Sequence, residues 1–200
     1  MTLNETIDNL DLNIPKEREI LLRPLIEFIK EKRKANLPCR LNFICTHNSR
    51  RSHLSQIWAH VAALYHDFTN VDCYSGGTEA TAMFPMIGET LVGQGLQVIP
   101  LSEGENPVYA IKHFQGQPPI IAFSKKYDHP FNPDADFGAV MTCDHADQNC
   151  PFIPGAKNRF PLRYEDPKSF DNTDIQKEKY LERSCQIASE MFFVFRAARS

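Results

Sequence analysis

Cys45, Arg51 and Ser52 carry the strongest chemical signal in the chain. They close the stretch 41–52, Leu-Asn-Phe-Ile-Cys-Thr-His-Asn-Ser-Arg-Arg-Ser, and five residues separate the cysteine from Arg51. A thiol is a nucleophile as its thiolate, and thiolate is favoured by positive surroundings. The spacing supplies them. Backbone N–H groups of the loop Thr46, His47, Asn48, Ser49 and Arg50 can turn inward on a tetrahedral anion. The first turn of a following helix adds its own unpaired N–H groups and positive dipole end. The Arg51 guanidinium is a planar fork that fits two oxygens of such an anion, and the Ser52 hydroxyl can donate to the sulfur. Tetrahedral oxyanions such as phosphate and sulfate are the anions this cradle suits. The plainer alternative is a small buried apolar cysteine at a strand end.

The flanking pattern predicts the elements that hold the loop. Residues 41–44 form an apolar run that reads as a buried strand. Leu54, Ile57, Trp58, Val61, Ala62 and Tyr65 recur at helical spacing after it. Residues 70–75 read as a second strand followed by Gly76-Gly77, residues 82–95 as a helix, and residues 96–101 suit a short third strand. Residues 138–143 are a buried strand ending on Cys143. Residues 159–164 are a last strand that Pro161 moves to an edge. Thr173-Asp-Ile-Gln176 is a capping-box pattern opening a helix to about Arg199, with Leu181, Cys185, Ala188, Met191, Phe192 and Phe195 inward. Strands alternating with helices predict an α/β fold, a Rossmann-like parallel four-stranded sheet flanked by helices. Ligands of such sheets bind at the carboxyl ends of strands, where Cys45, Cys143 and Asp166 all fall.

Two segments stand outside that core. Residues 1–38 form an N-terminal helical extension to a catalytic domain of residues 39–200. Its helix starts at Pro15, carries an apolar stripe of Ile20, Leu22, Leu25, Ile26 and Ile29, and is kinked or split at Pro24. The stripe offers a dimer contact, so the chain is expected as a monomer or weak homodimer. Residues of about 102–137 read as an insertion. In it, segments 108–114 and 119–124 flank Gln115-Gly-Gln-Pro118 as a β-hairpin, either a wall or lid over the site or a plain edge hairpin.

Cys143 and Cys150 are seven residues apart. An intact helix would separate them by about 10.5 Å, and a disulfide needs Cα atoms within about 7 Å. They can bond only if the polar segment between them loops or unwinds, which its weak helix propensity permits. A redox pair is the favoured reading. Two unrelated cysteines, or a metal site with His145, are the alternatives. No metal is expected, because no fourth ligand is evident.

The 200 residues carry a net charge of −3 with six cysteines. The acidic balance speaks against a nucleic-acid or membrane partner. Arg50, Arg51 and His53 make a basic spot sized for a small anion. No apolar run reaches membrane-spanning length, and the polar start lacks a signal-peptide profile. A cytoplasmic location is expected, where thiols stay reduced.

Three motifs together resemble one family. Cys45-Thr-His-Asn-Ser-Arg-Arg51-Ser52, Cys143-Asp-His-Ala-Asp-Gln-Asn-Cys150-Pro and Glu165-Asp166-Pro167 are similar to those of the thioredoxin-coupled arsenate reductases, which share the low-molecular-weight protein tyrosine phosphatase fold. The resemblance covers roughly residues 40–100 and 138–199. It implies that Cys45 attacks arsenate while Arg51, Asn48, Ser49 and the loop backbone hold the oxygens and Asp166 is the general acid. Cys143 and then Cys150 would carry the oxidation to a disulfide reduced by thioredoxin as an external reductant, with no tightly bound cofactor. His47 stands where the family usually has Gly; histidine is among the residues that tolerate a left-handed backbone. Gln56 stands where many of these reductases have a Glu of a cation site. The competing activity is a phosphatase acting on phosphotyrosine or a small phosphate ester through a Cys45 phosphocysteine. Lys168 and Ser169 replace the aromatic that such phosphatases place after Asp-Pro, with Phe170 as a late substitute. A non-catalytic oxyanion or redox sensing module is a third.

Overall fold

A computed structural model describes residues 1–149 and 152–199. Cys150 lies outside the described residues, so nothing structural bears on its expected role. Four parallel strands form the central sheet in the order β2-β1-β6-β7: β1 (Cys39–Cys45), β2 (Val71–Gly77), β6 (Phe137–Met141) and β7 (Ala156–Pro161). Such a sheet needs strands apolar on both faces. Leu41, Phe43 and Ile44 meet that need and are fully buried. Pro161 lacks the N–H a central strand must donate, and β7 is an edge strand.

Successive strand side chains point to opposite faces. Leu41, Phe43 and Val140 enter the larger core, against α2 (Lys16–Lys34), α3 (Arg51–Tyr65) and α6 (Gln176–Arg199). Ile44, Cys45, Ala139 and Met141 enter a smaller one, closed by Cys143, Ala146 and Ile153, with Ala146 on the short α5 (Asp144–Asn149). Cys45, the last residue of β1, and Cys143, two residues past β6, belong to this same cluster.

Several sequence expectations are corrected. The segment 96–101 forms the expected short strand, β3 (Gln97–Pro100), outside the four-stranded parallel sheet. It pairs antiparallel with β4 (Tyr109–Lys112), which pairs with β5 (Ile120–Ala122), so the hairpin is completed into a separate three-stranded sheet. The helix after β2 is α4 (Pro85–Gly93), shorter than expected because Pro85 sets its first turn. Pro24 neither splits nor ends α2. It is exposed, so the carbonyl it leaves unpaired faces water. Ile20 is 65% exposed and leaves the α2 stripe, while Phe28 joins it. That stripe packs on the chain's own α6, β7 and β1. The capping box at Thr173 does not form. The Thr173 hydroxyl donates back to the Phe170 carbonyl, the Gln176 side chain donates to Asp171, and α6 starts at Gln176. A capping box does form where none was expected: Thr2 and Glu5 cap α1 (Leu3–Asp8). No described helix is long and apolar enough to cross a membrane.

Candidate active site

The loop after β1 is built around a buried polar chain. Asn48 is fully buried and has φ 43°. It, not His47, is the left-handed residue of the loop, a conformation Asn tolerates through its short polar side chain. Its Nδ2 donates to Ser52 Oγ at 2.8 Å, and Ser52 Oγ lies 3.1 Å from Cys45 Sγ. Because Ser52 Oγ accepts from Asn48, its own proton is available to the sulfur, and toward a thiolate the hydroxyl must be the donor. Asn48 Oδ1 accepts from the Lys125 backbone N–H at 2.9 Å.

Helix α3 starts at Arg51 without a side-chain cap, so its positive N-terminal end directly follows the Cys45 loop. Arg51 Nη1 donates to the Tyr164 carbonyl at 3.0 Å, and Nη2 meets Asp166 Oδ2 at 2.5 Å. Its buried Nε has no hydrogen-bond partner. A buried unsatisfied charged donor is costly, and an oxyanion in the loop would satisfy it. Asp166 caps the 3₁₀ turn Pro167–Phe170, its Oδ1 accepting from the Lys168 N–H at 3.1 Å. Phe170 is partly buried, with Lys179 over its ring at 5.5 Å.

Cys143 follows β6 by two residues and is 1% exposed. Its neighbour Thr142 donates to the Ile44 carbonyl at 2.7 Å, binding the two cysteine-bearing strand ends together. Cys143 Sγ lies 3.5 Å from Thr46 Oγ1 and 3.4 Å from the Ala146 N–H. His145 Nδ1 is 3.4 Å from the same Thr46 hydroxyl. Despite its weak propensity, the segment after Cys143 is helical. Asp144 and Asp147 stand in the first turn of α5, where the dipole favours them. Arg163 pairs with both and Arg159 with Asp147. Cys39, Cys45, Cys73, Cys143 and Cys185 are all free thiols. Burial pushes the Cys39 thiol up to about 12 and the Cys73 thiol well above the ordinary range, so both behave as small apolar residues.

Two members of the expected basic spot are not there. Arg50 Nη2 pairs with Asp171 at 2.6 Å, its Nε donates to Tyr180 at 2.6 Å, and its guanidinium stacks on Phe84 at 4.0 Å. Its side chain fastens the loop to α6 and is neutralised there. His53 is fully buried, and burial first, then Lys125, lowers its pKa to about 3. His47 is half-exposed, 3.5 Å from Glu79. Ser49 is buried, its carbonyl accepting from the Phe84 N–H at 3.0 Å. Gln56 donates to the Cys73 carbonyl at 3.1 Å, inside the core.

The insertion is more than a plain edge hairpin, because the segment after β5 is hydrogen-bonded to the loop. Ser124 Oγ donates to the His47 carbonyl at 3.0 Å and accepts from the Thr81 N–H at 2.8 Å. Asn106 clamps Ser124 on both backbone groups, at 2.8 and 3.1 Å. The Lys125 carbonyl accepts from Gly77 N–H at 2.9 Å. Gly77 must be glycine, because a Cβ there would lie 2.6 Å from the Thr46 carbonyl oxygen and 2.7 Å from the Asn48 nitrogen. Sequence reading missed Ser124 and Lys125, which meet the loop from 77 residues away in the chain, and Asn106, which holds Ser124.

No protein-family model matches the chain, and no curated protein does. Solved structures do. A low-molecular-weight protein tyrosine phosphatase from T. tengcongensis is similar at 14% identity and a TM-score of 0.52, over 79% of this chain and 98% of that one. A low-molecular-weight phosphotyrosine phosphatase from Vibrio cholerae O395 is similar at 14% identity and 0.50, over 78% and 93%. The fold is that of the low-molecular-weight phosphatases. An arsenate reductase from Archaeoglobus fulgidus, at 16% identity over 76% and 98%, scores 0.46, too distant to weigh between activities.

Proposed function

We propose that the protein is a cysteine-based enzyme that reduces arsenate to arsenite, with thioredoxin as reductant. The observation that carries this is the second buried thiol, Cys143, at the end of the strand beside Cys45 and in contact with Thr46 of the oxyanion loop. Hydrolysis through a phosphocysteine does not require it. Arsenate would occupy the loop, satisfying Arg51 Nε and displacing the Arg51–Asp166 contact. The Cys45 thiolate attacks arsenic, and one arsenate oxygen leaves as water with a proton from Asp166. The Cys143 thiolate then attacks Cys45 Sγ. A sulfur–sulfur bond forms, the sulfur–arsenic bond breaks, and its electron pair reduces As(V) to As(III), which leaves as arsenite. Cys150 attacks Cys143, freeing Cys45, and a dithiol reductant such as thioredoxin reopens the Cys143–Cys150 disulfide. The chemistry requires a reducing compartment and fits a cytoplasmic location.

The test is a single turnover without reductant. Reduced protein given one equivalent of arsenate is quenched with an alkylating agent and mapped by mass spectrometry. The relay requires a Cys143–Cys150 disulfide, and a Cys45–Cys143 disulfide in Cys150→Ser. Thiols that stay fully alkylated would reject it. A second reading, phosphate-ester hydrolysis, is favoured by the phosphatase fold and by the completeness of Cys45, Arg51 and Asp166 without either further cysteine. A Cys45 phosphocysteine trapped from an aryl phosphate in Asp166→Asn, with thiols unaffected by arsenate, would establish it instead.

A further inference from the structure

A cleft of about 770 Å³ opens between the N-terminal arm (residues 1–15), α4 and α6. Leu10, Ile14, Met86, Leu181 and Cys185 form its apolar walls, and it shares no residue with the loop 45–52, Cys143 or Asp166. Small-molecule sites span about 300–1,000 Å³ and are mostly apolar with a few fixed polar groups. The arm roofing the cleft is seated, not merely draped. A Cβ at Gly95 (φ +88°) would collide with the backbone of Thr2 and Leu3, so the approach of the arm needs glycine there. Thr6 Oγ1 donates to the Gln94 carbonyl at 2.9 Å. Leu181, placed inward by the helical period, is instead 46% exposed at this cleft.

The charges at the floor of the cleft are closed on themselves. Glu190, 2% exposed, receives both Nε and Nη2 of Arg18 at 2.9 and 2.7 Å. It also accepts from the Tyr164 hydroxyl at 2.9 Å and from Gln186 at 3.2 Å. The remaining Arg18 nitrogen donates to the Arg163 carbonyl at 3.2 Å. At the rim Lys177 stands 3.8 Å from Glu89, and the exposed carboxylate of Asp11 repels anions. At the cleft floor an ionic group would have to break the buried Arg18–Glu190 pair to find a counter-charge, whereas the charged side chains at the rim stand in water, where their pull on a ligand is screened. Asn13 and Ser189 line the cleft and offer uncharged hydrogen-bonding groups.

We propose that this cleft binds a neutral, largely apolar small molecule bearing a hydrogen-bonding group, at a site separate from the Cys45 pocket. The probe is N-phenyl-1-naphthylamine, an uncharged dye that brightens in apolar sites, titrated into the full chain. The expected result is saturable one-to-one binding that saturating phosphate leaves unchanged. Gly93→Phe narrows the cleft wall from a position where an added Cβ meets no atom within 4 Å, and Leu181→Lys puts a charge at the mouth. Each should weaken the dye at least tenfold with an unchanged circular-dichroism melt. The proposal is overturned by the absence of saturable binding, by dye affinity that neither substitution alters, or by displacement with phosphate. A clear preference for the anionic 8-anilinonaphthalene-1-sulfonate or for a cationic amphiphile would overturn the ligand class.

Discussion

Replacing Ser52 with Ala isolates the buried relay that activates Cys45. In the native site the hydroxyl is held by Asn48 Nδ2 at 2.8 Å and lies 3.1 Å from the sulfur. Both Ser52 and Asn48 are fully buried, so no water replaces the lost group. The substitution has two costs of different kinds. A hydrogen bond to a charged acceptor contributes about 1.5–3 kcal/mol. Its loss from the sulfur anion should slow Cys45 chemistry roughly ten- to 150-fold, at about 1.4 kcal/mol per decade. The orphaned Asn48 Nδ2 costs about 1–3 kcal/mol of folding stability, which lowers Tm without touching the reaction. The assay is alkylation of Cys45 by iodoacetamide at fixed pH, followed by peptide mapping. It depends on the sulfur and not on which substrate is physiological. Ser52→Thr keeps the hydroxyl and should recover most of the rate. Alkylation of Ser52→Ala within twofold of the native rate, in a folded protein, would refute the role given to the hydroxyl.

Other consequences can be measured alongside. Ser124→Ala or Asn106→Ala removes part of the hydrogen bonding that supports the loop; at about 0.5–1.5 kcal/mol per bond, KM for the oxyanion should rise about three- to tenfold with kcat less affected. Gly77→Ala forces a Cβ against the Thr46 and Asn48 backbone and should cut turnover about 100-fold, the scale of a 1 Å misplacement, measured as the initial rate, with phosphate binding weakened in a calorimetric titration. His53 stays neutral in the fold down to about pH 3, whereas the unfolded chain protonates it near 6.5. The unfolded state then binds more protons in that window, so stability falls with falling pH by about 1.4 kcal/mol per unit. Urea melts of His53→Phe between pH 6 and 4 should show a flatter slope than the native protein.

The parts of the site that were legible in the sequence are local ones. An apolar run, a polar loop and a helical period follow one another within residues 41–65, so β1, the Cys45 loop and α3 could be read from neighbours in the chain. The edge position of β7 was legible because a proline has one physical consequence there. What sequence could not carry is pairing across distance. Nothing near residue 97 says whether β3 joins the parallel sheet or the hairpin. Arg50 looked like an oxyanion ligand until Asp171 and Tyr180 came to it from 121 and 130 residues on. The charge of His53 was counted because its type was visible and its burial was not. Asn48 was placed among the oxygen-holding residues, but its buried bonds to Ser52 and Lys125 make it the residue that shapes the loop. The Thr2–Glu5 capping box was present in the sequence and passed over because a six-residue helix carries too little periodicity to be noticed.

The most direct test of arsenate reduction is a coupled assay in which reduced protein is given arsenate, thioredoxin, thioredoxin reductase and NADPH, with Cys143→Ser in parallel. Arsenate-dependent NADPH loss that disappears in Cys143→Ser is the predicted result. No NADPH loss, together with brisk release of phosphate from an aryl phosphate that persists in Cys143→Ser, would contradict the relay and leave a phosphatase with two incidental thiols.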